Sequence, residues 1–262
     1  RMKALAGKIE HEHGVFPCMA WDNNYEELEL AELIKFIPEA EAKKMQDRSR
    51  KFADKEIRRK TYQAMEAFIH NLNTMHSRAG AQVPFSSINY GTDTSPEGRL
   101  VMESVMLATE AGLGNGETPI FPIQIFKVKE GVNYNPEDPN YDLFKLACKV
   151  SAKRLFPNFS FLDAPFNKQY YVAGRPETEC AYMGCRTRVI GNVYDPTKEV
   201  TCGRGNLSFT SINLPRLGIE AHGDIDKFFK SLDDMIDLVI RQLMHRFKIQ
   251  CSKVVRNYPF LM

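Results

Sequence analysis

From Glu39 to His76 the chain contains neither proline nor glycine and is rich in alanine, glutamate, lysine, arginine and methionine, the side chains that lose least on entering a helix. This predicts one long helix, which any fold for the chain must accommodate. Within it Met45, Phe52, Ile57, Met65, Phe68, Ile69 and Leu72 recur at roughly helical spacing, so one face is expected to pack on a core.

Downstream of that helix the signals alternate. The run Ala81–Gly91 reads as a strand, with Pro84 forbidding an ordinary central-strand bond at its own position. Ser95-Pro96 is a helix start and Gly112 a helix stop, which predicts a second helix between them. Pro119–Phe126 reads as a strand, Tyr141–Leu155 as a helix, Asn158–Asp163 as extended chain, Tyr182–Val189 as loop or strand, and Leu207–Asn213 as a strand. A last helix is expected from about Asp224 to Gln250, carrying Phe228, Phe229, Leu232, Met235, Ile236, Val239, Ile240, Leu243 and Met244. Helices alternating with short strands imply an α/β class, with parallel pairing and right-handed crossovers. Asn133–Asn140 is the best loop, too short for a domain linker.

At 262 residues and 43% hydrophobic the chain can bury a sizeable core, and its aromatic residues are scattered throughout, so a single domain over 1–262 is expected. A formal charge of +2 with both signs interspersed gives no field to gather nucleic acid or an anionic membrane. Arg186, Arg188 and Arg204 could still meet the phosphates of a small substrate, because a site needs only local charge. No apolar run reaches the roughly 20 residues that span a bilayer, and Arg1–His13 is too polar for a signal peptide, so a cytoplasmic protein without nucleic-acid or membrane partners is expected. The six cysteines, Cys18, Cys148, Cys180, Cys185, Cys202 and Cys251, are widely spaced without a CxxC pair, which favours thiols over disulfides.

Several motifs have plain readings. Gly112-Leu-Gly-Asn-Gly116 looks like a phosphate cradle, but it follows a helix and precedes a strand, the reverse of the dinucleotide-binding order. His11, His13 and Cys18 lack a fourth metal ligand, and a solvated tail explains them better. Two segments stand out: Tyr182-Met-Gly-Cys-Arg-Thr-Arg188 and Cys202-Gly-Arg-Gly-Asn-Leu-Ser-Phe-Thr-Ser-Ile-Asn-Leu-Pro-Arg216. A cysteine flanked by glycine and arginine is a candidate reactive thiol, since nearby cations favour thiolate. Against this, a free cysteine is commonly a small buried hydrophobe, and Asn206 could simply cap a turn.

At these residues the chain resembles the anaerobic, class III ribonucleoside-triphosphate reductases, the glycyl-radical branch of the reductases. The resemblance runs through His70-Asn-Leu-Asn-Thr74, Ala81-Gln-Val-Pro-Phe-Ser-Ser-Ile-Asn-Tyr-Gly-Thr-Asp-Thr-Ser-Pro-Glu-Gly-Arg99, Gly112-Leu-Gly-Asn-Gly-Glu-Thr-Pro-Ile-Phe-Pro122, Lys153-Arg-Leu-Phe-Pro-Asn-Phe159 and both cysteine segments. It implies a ten-stranded α/β barrel of two half-sheets threaded by a finger loop, and long packing helices. Cys185 would be the finger-loop cysteine whose thiyl radical takes the 3′-hydrogen of the ribose. Asn206 would hydrogen-bond the ribose hydroxyls. Thiol S–H and ribose C–H bonds are close enough in strength for reversible exchange, and a barrel interior would shield the radical. Gln82, Ser86, Ser87 and Arg186 are expected to face the triphosphate.

The resemblance also implies partners: ribonucleoside triphosphates as substrates, dNTP and ATP effectors, a radical SAM activating enzyme and a second copy in a homodimer, with the long helix in the dimer and effector region. The family's glycyl-radical motif Arg-Val-x-Gly-Tyr, its four-cysteine zinc site, its second active-site cysteine and its ATP-cone are absent from this sequence. The chain is therefore expected to be a central part of a longer polypeptide, with the glycyl radical generated elsewhere in it by an S-adenosylmethionine iron-sulfur activase. Formate or a thioredoxin-type protein would be the reductant, and Asn206 resembles the formate-using pattern. Two alternatives are a catalytically dead nucleotide-binding module, which would have no reason to keep Cys185 and Asn206 together, and a formate-lyase relative, against which the Met-Gly-Cys-Arg and Gly-Arg-Gly-Asn motifs stand.

Overall fold

The computed structural model describes residues 2–20, 23–76, 82–184, 187–189, 195 and 208–257. The chain divides into two compact units, Arg1–Cys202 and Gly203–Met262.

The first unit opens with α1 (Met2–His13) and α2 (Tyr25–Leu33), where a solvated tail was expected over His11 and His13. Burial of Ile9, Tyr25 and Leu33 is the physical reason, and a Lys8–Glu32 ion pair ties the two helices together at 2.8 Å. Both histidines are exposed. The breaker-free stretch forms α3 (Glu39–Thr74), starting directly after Pro38. Its expected core face is only half realised: Ile69 is buried and Met65 and Phe68 pack on the core, while Phe52 and Ile57 stay 68% and 43% exposed. Only the C-terminal part of this helix belongs to the main core.

There β1 (Ser87–Tyr90), α4 (Pro96–Ala111), β2 (Ile123–Val128), α5 (Tyr141–Arg154) and β3 (Asn158–Phe161) alternate, and the strands pair in parallel in the order β1-β2-β3. The register sets Tyr90 beside Phe126 and Phe126 beside Phe159. These residues share one face with Ile88 and Val128, and Met102, Val105, Met106, Leu143, Ala147 and Val150 of the two crossover helices pack on it. Ser95 caps α4 by accepting the Gly98 N–H at 3.1 Å, as its place before Pro96 predicts.

Two buried polar devices join strands to helices. Tyr90 Oη donates to Gln124 Oε1 (2.7 Å), Gln124 Nε2 to Thr109 Oγ1 (2.8 Å), and Thr109 Oγ1 to Val105 O (2.7 Å), so each group has a partner. Burial holds the Tyr90 phenol well above its ordinary range. Asn133 and Asn140 bracket the expected loop, and both donate to the Gly91 carbonyl, at 2.9 and 3.2 Å. Gly91 itself turns at φ +128, where an added Cβ would lie 2.5 Å from the Lys127 carbonyl oxygen.

After β3 come α6 (Pro165–Lys168) and an antiparallel hairpin, β4 (Ala181–Met183) with β5 (Thr187–Val189). The second unit holds α7 (Leu214–Ala221), capped by Asn213, and α8 (Ile225–Cys251), capped by Asp224. The strand expected over Leu207–Asn213 does not form at residues 208–213. An alternating pattern needs a neighbouring strand, and here Arg246 of α8 takes the Phe209 carbonyl at 2.9 Å instead.

Candidate functional site

Side chains alternate along each strand, so the face turned away from the helices carries Ser87 and Asn89 from β1, Ile123, Ile125 and Lys127 from β2, and Asn158 and Ser160 from β3. This face is largely polar. Ser160 Oγ is buried on it without a hydrogen-bond partner among the described residues, an uncommon state for a buried hydroxyl.

The segment entering the hairpin lies on this face. Lys127 Nζ meets Glu179 Oε1 at 2.7 Å, and Lys129 Nζ lies 3.7 Å from Glu179 Oε2. Cys180 is buried, and burial pushes its thiol up, so it stays protonated and makes a poor nucleophile. Beside it a cavity of about 210 Å³ is lined by Lys129, Asp163, Tyr171 and Glu179, with Lys129 Nζ 4.4 Å from the Tyr171 ring centroid. Asn89 Nδ2 then donates to the Tyr182 carbonyl at 2.7 Å, while its Oδ1 accepts the Tyr182 N–H at 2.9 Å. Ser87 Oγ accepts the Gly184 N–H at 3.0 Å.

Gly184 adopts φ +62, and a Cβ there would lie 3.2 Å from Phe85 Cε1, so the turn of the Met-Gly-Cys-Arg motif uses glycine for both its backbone sign and its close approach. On the returning leg, Arg188 donates to the Phe166 carbonyl at 2.5 Å and to Asn167 Oδ1 at 3.2 Å, and its guanidinium lies over Phe166 and Tyr170. Arg188, a candidate phosphate ligand from sequence, is thus engaged with α6.

Of the expected site residues, Cys185, Arg186 and Asn206 lie outside the described residues, as does Arg204. Gln82 is exposed. Ser86 is part-buried, its carbonyl accepting the Ile123 N–H at 2.9 Å and its hydroxyl reaching the Pro84 carbonyl at 3.5 Å. Ser87 is the one brought to the hairpin. Sequence reasoning gave no role to Asn89, Lys127 or Glu179. The available signal was polar Ser87 and Asn89 alternating with apolar Ile88 and Tyr90, which marks a strand whose second face meets something other than an apolar core.

The Gly112–Gly116 loop is no phosphate cradle. Its Leu113, Gly116 and Glu117 amides bond within the loop, and the Asn115 amide binds Glu117 Oε2 at 3.0 Å. Hydrogen bonds from backbone N–H groups, its own first, keep the Glu117 carboxyl below the usual range. Among the described residues no group of three or more His, Cys, Asp or Glu side chains could hold a metal ion. Cys148, Cys180 and Cys251 are free thiols. No helix among the described residues is long and apolar enough to cross a membrane.

A family model described as anaerobic ribonucleoside-triphosphate reductase matches residues 33–262. The chain is 34% identical over 211 residues to the anaerobic ribonucleoside-triphosphate reductase of Escherichia coli (strain K12), covering 80% of this chain and 27% of that protein. It is 33% identical over 206 residues to that of Haemophilus influenzae, covering 78% of this chain and 28% of the relative. With the enzyme of Enterobacteria phage T4 it shares 32% identity over 217 residues, 81% of this chain and 35% of the phage protein. The chain thus spans roughly a quarter to a third of the length of the relatives it matches.

Proposed function

The chain belongs to the anaerobic ribonucleoside-triphosphate reductases, and from that premise we propose that it supplies the central part of a catalytic barrel that reduces ribonucleoside triphosphates to deoxyribonucleoside triphosphates. In this reading the parallel β1-β2-β3 sheet contributes to one half-sheet of a ten-stranded barrel. Hairpin β4–β5 is the finger loop. The observation that carries the proposal is the seating of that hairpin on the polar sheet face, with the Met-Gly-Cys-Arg motif at its turn.

A glycyl radical held outside this sequence, generated by an S-adenosylmethionine iron-sulfur activase, supplies the unpaired electron when it is present. Cys185, as a thiyl radical, takes the hydrogen atom from C3′: an S–H bond forms as the C3′–H bond breaks, and the same hydrogen returns to C3′ at the end of the cycle. Asn206 holds the ribose hydroxyls with a neutral amide while water leaves C2′, and a two-electron reductant, formate or a thioredoxin-type protein, completes the reduction. Gln82, Ser86 and Arg186 are assigned to the triphosphate. The sheltered face suits radical chemistry because the Lys127–Glu179 pair leaves its charge compensated and the hairpin covers it from water. The N-terminal half of α3, with Phe52 and Ile57 exposed, is the surface we assign to the second protomer and the dNTP or ATP effectors.

The test is Cys185→Ala in the full-length reductase, activated and assayed anaerobically. We expect turnover to fall by at least about a thousandfold while nucleotide binding holds within a few-fold. Turnover retained in that variant would exclude Cys185 as the hydrogen-abstracting group.

A further inference from the structure

The last six residues before Cys185 are held by side chains as well as by a backbone ladder. Strand β4 pairs with β5 on one side only. On its other side the Asn89 amide, by donating to the carbonyl and accepting the N–H of Tyr182, makes the pair of bonds that a neighbouring strand would otherwise make. Ser87, two residues earlier on the same face of β1, accepts the Gly184 N–H, and Phe85 packs against the bare Gly184 Cα. Further back, Lys127 of β2 holds Glu179. The opposite leg is fixed independently through Arg188 to Phe166 and Asn167.

Consecutive Cα atoms are about 3.8 Å apart across a trans peptide. Whatever fixes Gly184 therefore sets the starting point of Cys185, and hydrogen-atom transfer falls steeply with small displacements, since about 1 Å of misplacement can reduce a rate by roughly a hundredfold. A side-chain clamp also differs from a ladder in kind. It fixes two chosen residues, Tyr182 and Gly184.

We propose that Asn89 and Ser87 are positioning residues for the radical step, acting through the Tyr182 and Gly184 peptides to set where the Cys185 thiol stands relative to the ribose. This rests on the assignment of Cys185 as the hydrogen-abstracting group. Asn89 is assigned no contact with substrate, and the Ser87 hydroxyl, expected from the resemblance to face the triphosphate, is assigned here to the Gly184 N–H that it accepts. Their conservative and disruptive substitutions separate cleanly: Asn89→Asp keeps an acceptor for the Tyr182 N–H but loses the donor to its carbonyl, while Ser87→Thr keeps the hydroxyl that Ser87→Ala removes.

The experiment uses the full-length activated enzyme. Asn89→Ala and Ser87→Ala are expected to lower kcat by about ten- to a hundredfold with KM within about twofold, and to change the isotope effect from 3′-deuterated substrate. Amide exchange at Tyr182 in the first and at Gly184 in the second should accelerate. Ser87→Thr should restore both kcat and protection, and Asn89→Asp should fall between wild type and alanine. Faster exchange with unchanged kcat would overturn the positioning role. So would a raised KM at constant kcat, which would make these residues substrate contacts. Should an alanine variant fail to fold, Asn89→Asp against wild type carries the comparison: a lowered kcat at constant KM with faster Tyr182 exchange is expected, and an unchanged kcat despite faster exchange would overturn the positioning role. Full turnover in Cys185→Ala sinks the underlying reading instead, whatever the exchange rates show.

Discussion

A methyl group added at Gly184 would meet two objections at once. The backbone there sits at φ +62, a region that L side chains enter at a penalty of about 1–2 kcal/mol, and the new Cβ would press on Phe85 at 3.2 Å. Gly184→Ala should therefore loosen the hairpin rather than unfold the sheet beneath it. The expected result is roughly ten- to thirtyfold faster exchange of the Tyr182 amide, with the unfolding midpoint of the first unit almost unchanged. Adding Phe85→Ala should return only the share that comes from the ring, because the backbone strain stays. An alanine at 184 that leaves Tyr182 as protected as before would mean that the turn does not depend on glycine. The same scale explains why Cys180 and Cys185 are not interchangeable candidates. Cys180 is buried, with its thiol pushed up, in the leg of the hairpin, whereas the motif that resembles the family's reactive cysteine lies beyond the clamp.

Helix α4 ends in a loop whose carbonyls would be stranded without Arg154. That side chain, 8% exposed at the end of α5, donates to the carbonyls of Glu110 (2.7 Å), Ala111 (3.2 Å) and Gly116 (2.7 Å) and reaches Thr118 Oγ1 at 3.3 Å. A cation at a helix C-terminus satisfies the last carbonyls and opposes the helix dipole in one contact. Arg154→Met keeps the length and the apolar stem but leaves those acceptors unmet, and should destabilise the first unit by about 2–3 kcal/mol in a urea titration. A loss below about half a kcal/mol would show that water replaces the guanidinium without penalty. The helix itself was legible in the sequence because Ser95, Pro96 and Gly112 act locally. The Arg154 clamp was not, since its partners lie some 36 to 44 residues away. Distance along the chain likewise hid the Asn89 clamp, whose partner is 93 residues on. The Leu207–Asn213 expectation failed for the converse reason: alternation describes a strand's faces but supplies no neighbour to pair with. Glycine and arginine neighbours alone made Cys185 a candidate reactive thiol, but a radical role for it, and any role for Asn206 beyond capping a turn, came only through resemblance to a family.

Across the whole chain, burial is distributed very unequally. In the first unit Met106, Phe126, Ala147 and Val150 are completely buried between the parallel sheet and its crossover helices, and the buried polar chain from Tyr90 to Val105 locks strand to helix. In the second, the 27-residue α8 has no buried residue, and Phe229, Ile240 and Met244 each expose half or more of their surface. Most helical stability in proteins comes from packing an apolar face, and α8 buries none of its residues. Protection against hydrogen exchange should therefore fall into two tiers. Amides of Ile123–Val128 and of the α4 interior should exchange only through global opening, with rates that climb with denaturant. Those of α8 should exchange by local opening, at least about a hundredfold faster and almost independent of denaturant. Exchange measured by mass spectrometry on peptides from both regions decides this: equal protection in α8 and β2 would mean that the second unit gains a stabilising cover that its own packing does not supply.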